Sequence, residues 1–202
     1  MTSDTRYHHG NLKQTLIDHA LEIIHRDGVD QLSLRKLATG IGVNQTALYS
    51  HFKNKNELLA ELARQGYVEL TERLQQLAQN ESTHDNIITA LAERYISFAR
   101  THPEVFKLMF SPSFTQLHQN DETLWTTSQQ SFHIYEQIIT RYLQQKQANT
   151  SPKLAALAAW SFMHGFCHLI IGDRLSSDTL QTLNEGALLP GLVHLLENGI
   201  GH

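Results

Sequence analysis

The sequence predicts an all-α protein of about nine helices, and three observations carry that expectation. Apolar residues recur at three- and four-residue spacing along most of the chain. Helix-starting residues (Ser33, Asn44, Asn54 and the pair Ser151-Pro152) stand just ahead of those apolar stripes. No alternating stretch reads as a strand, and four prolines and 11 glycines among 202 residues leave most of the backbone free to coil.

Taken in order, Leu12, Leu16, Ala20, Ile23 and Ile24 form the stripe of a first helix, which Gly28 stops. Ser33 is placed as the N-cap of a short helix carrying Leu34, Leu37, Ala38 and Ile41. Gly42 and Val43 make a turn, and Asn44 caps a second short helix over residues 45–51. Asn54, with Glu57 in the capping-box position, opens a longer helix whose stripe is Leu58, Leu62, Tyr67, Leu70 and Leu74. Residues 80–85 are a polar break. Ile88, Leu91, Ala92, Tyr95 and Ala99 mark the next helix, ended by His102-Pro103, and Phe106, Met109, Phe110 and Phe114 make an aromatic-rich stretch. A helix is expected over 123–147 and another from Pro152, apolar on nearly every face over 154–171. A final helix lies between 178 and 197, where Pro190 and Gly191 are expected to kink or divide it.

Composition narrows the function classes. A hydrophobic content of 41% supports one sizeable core or two small ones. There is no uninterrupted apolar run of about 18 residues and the first ten residues are polar, so no membrane partner and a cytoplasmic location are expected. Cys167 is the single cysteine, which excludes an intrachain disulfide and fits a reducing compartment. The net charge of -4 conceals an asymmetry: residues 1–56 carry +2 and the remainder -6. A basic head on an acidic body suits local phosphate contact without general affinity for polyanions.

Ala38, Gly42 and Leu48 have the spacing A-x3-G-x5-L. In a helix-turn-helix the first must be small where two helices cross, the second turns the chain, and the third anchors the second helix. The free face then carries Gln45, Thr46, Ala47, Tyr49, Ser50 and His51. Gln45 can pair with adenine and the Ala47 methyl can meet thymine. Thr46, Tyr49 and His51 suit phosphate, Lys55 stands at a helix start where phosphate is also favoured, and Arg35 can reach backbone or base edge. The competing reading makes the pair of helices a packing unit, with Tyr49 a half-buried core aromatic.

These residues resemble the TetR family of repressors. Leu32-Ser-Leu-Arg-Lys-Leu-Ala38, Gly42-Val-Asn-Gln-Thr-Ala-Leu-Tyr49 and His51-Phe-Lys-Asn-Lys55 are similar to its N-terminal DNA-binding domain over about the first 60 residues. The opening Tyr7-His-His-Gly-Asn-Leu12 and the later Trp160-x3-His164-Gly165 are similar to a subgroup named for its Trp-His-Gly signature. The resemblance implies a three-helix DNA-binding domain over 1–56 and a ligand-binding and dimerisation domain over 57–202. It further implies a homodimer that leaves a pseudo-palindromic double-stranded DNA operator when a small molecule binds. Gln45, Thr46, Ala47, Tyr49 and His51 would lie on the recognition helix, flanked by Arg35 and Lys55. Some members carry a bulkier or basic residue where Ser50 stands, which leaves the base preference open.

The all-apolar segment 154–171 must be covered on every side, by its own core on one face and a second subunit on another. Ala155, Ala156, Ala158, Ala159 and Gly165 permit close helix approach. Candidates to line an effector pocket are Phe98, Phe106, Met109, Phe110, Trp125, Phe132, Tyr135, Trp160 and His164, with Tyr95 and Phe166 beside them. Each serves equally as core, and the scarcity of charge among them points to an apolar or weakly polar effector. His164 and His168 are spaced as metal ligands on one helix face with Cys167 adjacent, so a metal-responsive dimer is an alternative, as is a dimer without an effector. Redox sensing at Cys167 is disfavoured by its apolar neighbours. His8 and His9 belong to an N-terminal arm or tail. A helical enzyme is the rival from another class, but no phosphate loop, nucleophile elbow or close carboxylate pair appears, and no cofactor is implied.

Overall fold

The computed structural model describes residues 12–79, 87–112, 115, 121–184 and 188–200. Ten α-helices occur among them: α1 (Leu12–Asp27), α2 (Leu34–Gly40), α3 (Gln45–Tyr49), α4 (Lys55–Gln79), α5 (Ile87–Thr101), α6 (Pro103–Met109), α7 (Glu122–Lys146), α8 (Pro152–Ile171), α9 (Ser177–Asn184) and α10 (Leu188–Ile200). A single 3-10 turn, Val29–Gln31, joins α1 to α2, and the described residues include no strand. The chain is all-α, as the sequence predicts. The polar break at 80–85, Phe114 and the His8-His9 arm lie outside the described residues.

Local signals set the first four helices. The Ser33 hydroxyl accepts from the Lys36 N–H at 3.2 Å, and the Asn44 side chain accepts from the Ala47 N–H at 2.7 Å. Each satisfies an N–H that helix geometry leaves without a partner. Asn54 accepts from the Glu57 N–H at 2.9 Å, while the Glu57 carboxylate reaches the Lys53 N–H at 2.8 Å, one residue earlier than a capping box would place it. Gly42 turns the chain between α2 and α3 at φ +70°, where a side chain would be strained. The second short helix closes at Tyr49, shorter than the predicted 45–51. The Ser50 hydroxyl and the His51 and Phe52 N–H groups turn back onto the Ala47 and Leu48 carbonyls instead. Replacing Asn44 with Ala is expected to cost about 0.5–2 kcal/mol in urea unfolding, because a five-residue helix has little else to hold its start.

Helix α4 connects the two halves. Its start packs near α1, with Glu61 taking Lys13 of α1 at 3.3 Å and Arg64 at 2.6 Å. Burial alone would raise the Glu61 carboxyl, but the Arg64 and Lys13 cations outweigh it and hold it below its ordinary value. Further along, α4 lies against α7 and α6. Gly66 makes the α6 contact possible: an added Cβ would sit 2.5 Å from Val105 and 2.6 Å from Met109. Arg141 of α7 closes the far end by donating to the Ala78 carbonyl at 2.7 Å. The 56/57 division expected from the sequence thus falls inside the first turn of one continuous 25-residue helix.

The final predicted helix is two, and the position of its break needs correction. Pro190 and Gly191 lie in the opening turns of α10 rather than between helices. Proline is tolerated in a first turn because the missing N–H would have no helical partner there.

Helix α8 has mean hydropathy 1.6 over a membrane-span window, long and apolar enough by length and composition to cross a bilayer. One face of it packs on α5, α7 and α10, through Ala155, Ala156, Ala159, Met163 and Cys167. Three of the alanines suggested for helix approach therefore face the chain's own core. The opposite stripe is open: Leu154, Leu157, Ala158, Ser161, Phe162, Gly165, His168 and Leu169 are exposed, as is Leu195 of α10.

Candidate functional site

The residues singled out for DNA contact collect at one end of the chain. Leu48 is completely buried and fixes α3 on α2, with Ala38 buried at the crossing and Phe52 closing the turn. Arg35, Gln45, Thr46, Tyr49, Ser50 and His51 are exposed, and Ala47 and Lys55 are half-buried. Tyr49 is 49% exposed, so about half of its side chain is open to solvent on this face. The Lys55 ammonium donates to the Asp30 carbonyl at 3.3 Å, so the side chain leans back over the turn between α1 and α2. Ser50 commits its hydrogen to the Ala47 carbonyl and retains only acceptor capacity outward. Behind this face, Asp27 receives Arg26 and Lys36, both at 2.9 Å, and these hydrogen bonds hold its carboxyl well below the usual carboxylate range. Lys53, outside the predicted set, is exposed two residues before Lys55, and sequence adjacency alone could have marked it.

A cavity of about 440 Å³ opens in the C-terminal half, within the range of small-molecule sites. Of the predicted ligand-binding residues, Met109, Phe110, Trp125, Phe132, Tyr135 and Trp160 line it, joined by Tyr95. Phe98, Phe106 and His164 do not. Phe98 is fully buried against His102, Phe106 and the Arg73 guanidinium, and Phe106 packs edge-on to Tyr95. Sequence reasoning missed the α4 wall, Tyr67, Leu70 and Leu74, because cavity and core use the same apolar period. It also missed Ser111, Thr115, Ser128, Gln129 and Ser131. Ser131 alone carried a signal, as a small polar residue within the buried stripe of α7.

Most polar groups around the cavity are engaged by the protein. Tyr67 donates to the Met109 carbonyl at 2.8 Å, and Ser131 meets both Thr71 at 2.5 Å and the Tyr67 carbonyl at 3.1 Å. Trp160 Nε1 donates to the Tyr95 hydroxyl at 2.9 Å, and that hydroxyl lies 3.1 Å from His164 Nδ1. His164 Nε2 in turn lies 3.1 Å from His168 Nε2. A polar chain therefore leads from the cavity wall to the open stripe of α8. The Tyr135 hydroxyl is the exception: it is buried with no partner among the described residues.

Burial, then the neighbouring His168, lowers the His164 pKa to about 4, so at neutral pH its Nδ1 is free to accept from Tyr95. Because the unfolded imidazole binds its proton near pH 6.5, stability is full above that value and is lost as pH falls from about 6.5 toward 4. After allowance for partial exposure the loss is on the order of 1–2 kcal/mol, and His164→Ala is expected to flatten that part of the urea-midpoint profile. Burial pushes the Cys167 thiol up to about 12, which keeps it protonated and unreactive at neutral pH. Among the described residues no three His, Cys, Asp or Glu side chains come together as metal ligands.

Two families match the chain by sequence. Residues 16–62 match "Bacterial regulatory proteins, tetR family", and residues 88–187 match "Tetracyclin repressor-like, C-terminal domain". The class D tetracycline repressor protein of Escherichia coli is 37% identical over 95 residues, 47% of this chain. That match spans only 38% of the repressor's own length. Among solved structures, a protein of unknown function from Rhodococcus sp. RHA1 superposes with TM-score 0.78 at 27% identity, covering 98% of this chain and 100% of its own. The regulator FadR from Bacillus subtilis, solved in complex with stearoyl-CoA, has TM-score 0.68 at 19% identity, covering 93% of this chain and 99% of its own, a likeness of fold. With the helix-turn-helix at one end, the larger helical domain behind it and a family match to each, the chain belongs to the TetR family of DNA-binding transcription regulators.

Proposed function

We propose that this regulator is a repressor that binds a pseudo-palindromic DNA operator as a homodimer and releases it when a small molecule fills the cavity. One observation carries the reading. Helix α4 begins at Lys55 beside the recognition helix and forms the cavity wall at Tyr67, Leu70 and Leu74. Twelve residues of continuous helix, about 18 Å, connect the two sites. A ligand that displaces the cavity segment of α4 moves Lys55 and the attached helix pair as one body, altering the distance between paired recognition helices.

In this reading a second copy covers the open stripe of α8 together with α10, an isologous four-helix contact. Ser161, Gly165 and His168 within the stripe favour a protein neighbour over lipid, and a cytoplasmic location follows from the target. Gln45 and Ala47 read base edges, while Arg35, Thr46, Tyr49, Ser50, His51 and Lys55 meet the backbone or flank the bases. The C-terminal half is assigned to the Trp-His-Gly subgroup, supported by Trp160 and His164 converging on the Tyr95 hydroxyl.

Duplex-DNA binding measured against salt tests this. Affinity should fall steeply with salt, and Lys55→Ala should weaken binding for all sequences and reduce the salt slope by about one. Tyr49→Ala should also weaken binding. Indifference to both substitutions contradicts the docking. A dimer that binds DNA but admits no ligand to the cavity would instead favour the effector-independent reading.

A further inference from the structure

We infer that His164 and His168 form a binding site for a divalent late transition-metal ion, zinc foremost, held by their two Nε2 atoms on the open side of α8. Neither residue lines the cavity, so the site is independent of the cavity and of what fills it.

The first support is the approach of the two rings. Side chains four residues apart on a helix stand over one face, and here they converge, with the Nε2 atoms 3.1 Å apart and the ring centroids 4.6 Å apart. Two nitrogens bound to one ion at about 2.0–2.1 Å, at right-angled to tetrahedral angles, stand about 2.9–3.4 Å from each other. The observed separation lies inside that interval. An ion can therefore take the place of the proton the pair shares through a tilt of the exposed His168 ring, with no change in the backbone.

The second support is that the pair is held from behind. His164 Nδ1 lies 3.1 Å from the Tyr95 hydroxyl, which accepts the Trp160 Nε1–H at 2.9 Å. Metal-bound imidazoles are oriented in this way, with the other ring nitrogen engaged by an oxygen. With an ion on Nε2, the His164 proton resides on Nδ1 and is donated to the Tyr95 oxygen, whose second lone pair takes the indole N–H. Phe106 packs against both imidazoles, at centroid distances of 5.2 Å from His164 and 5.5 Å from His168. Phe110 meets the His164 ring at 4.5 Å, so neither imidazole is a freely turning surface side chain.

The donor set selects the ion. Two imidazoles without a carboxylate suit zinc, copper or nickel, whereas magnesium and calcium require oxygen ligands. Cys167 is fully buried on the opposite face of α8 and takes no part. No third His, Cys, Asp or Glu joins the pair among the described residues. His168 is exposed, which gives the ion a route from solvent, and water fills the remaining positions. Two protein ligands instead of four make this an exchangeable site, unlike the closed sites of structural zinc.

The test titrates the metal-free full-length protein with zinc sulfate by equilibrium dialysis near neutral pH. The chain has 13 histidines, so the uptake is read as a difference between variants. The wild type should hold about one more zinc ion per chain than His168→Ala, at a concentration where magnesium does not compete. His133→Ala, which removes a surface histidine outside the pair, should bind as the wild type does. Tyr95→Phe should weaken the site about ten- to a hundredfold, as loss of a group that orients a ligand does. Nickel(II) gives a second readout, because the Trp160 ring lies 5.5 Å from the His164 ring. Bound nickel should quench tryptophan emission in the wild type and not in His168→Ala. Should His168→Ala not fold, His168→Gln replaces it in both measurements. Equal zinc uptake by the wild type and the His168 variant, an equal loss in His133→Ala, displacement of zinc by equimolar magnesium, or nickel quenching that survives without His168 would each overturn the inference.

Discussion

The double variant Leu157→Asp, Leu195→Asp is expected to sediment as a single species near 23.0 kDa at micromolar concentration and to lose high-affinity operator binding. The two leucines are 49% and 67% exposed in the isolated chain, on the open stripe of α8 and on α10. Neither supports the fold of one subunit, so helical content and cavity fluorescence should stay as in the wild type. In a two-fold interface each substitution counts twice, placing four carboxylates where apolar surface would be buried without counter-charge. Loss of simultaneous engagement of two half-sites should lower operator affinity by about a hundred- to ten-thousandfold, although each recognition helix is unaltered. A variant that remains dimeric would place the subunit contact elsewhere.

Leu48→Ala is expected to have the largest effect on stability. Leu48 is completely buried and is the single buried residue of α3, a helix of five residues that cannot persist without its anchor. Removing three side-chain carbons, a methine and two methyls, from such a site costs about 2–5 kcal/mol, as lost burial and as the cavity left behind. For a chain of this size that corresponds to a Tm decrease on the order of 10 °C, if unfolding is cooperative. Between the lowered Tm and the wild-type Tm, DNA binding should be lost together with the native fluorescence of the cavity tryptophans, since one buried core runs through both halves of the chain. An unchanged Tm would mean that α3 is held by something other than this contact.

How much of this was legible in the sequence depends on whether the deciding physics is local. The caps at Ser33 and Asn44 and the turn at Gly42 depend on residues no more than three positions away, and the helix-turn-helix follows from them directly. Pro190-Gly191 is also a local signal, but proline permits a helix's first turn as readily as it ends a helix, so the position of the break was misread. The cavity was only partly legible. Its aromatic residues stand out by type, yet Phe98 and Phe106 have the same type and lie in the core, while Tyr67, Leu70 and Leu74 look like ordinary core. What separates wall from core is which residues of α4, α5, α6, α7 and α8 meet around one cavity, a long-range property that no periodicity records. The same holds for His164. Its spacing to His168 suggests a metal site, and only the fold brings in the Tyr95 hydroxyl as its partner.

The most direct test of a paired helix-turn-helix regulator is selection of bound sequences from randomised duplex DNA by the full-length protein, followed by affinity measurement at physiological salt. The account predicts recovery of a two-fold symmetric site bound at least about a thousandfold more tightly than random duplex, with that ratio collapsing for Tyr49→Ala. Recovery of no shared sequence, or of a site whose affinity is the same for wild type and Tyr49→Ala, would contradict it.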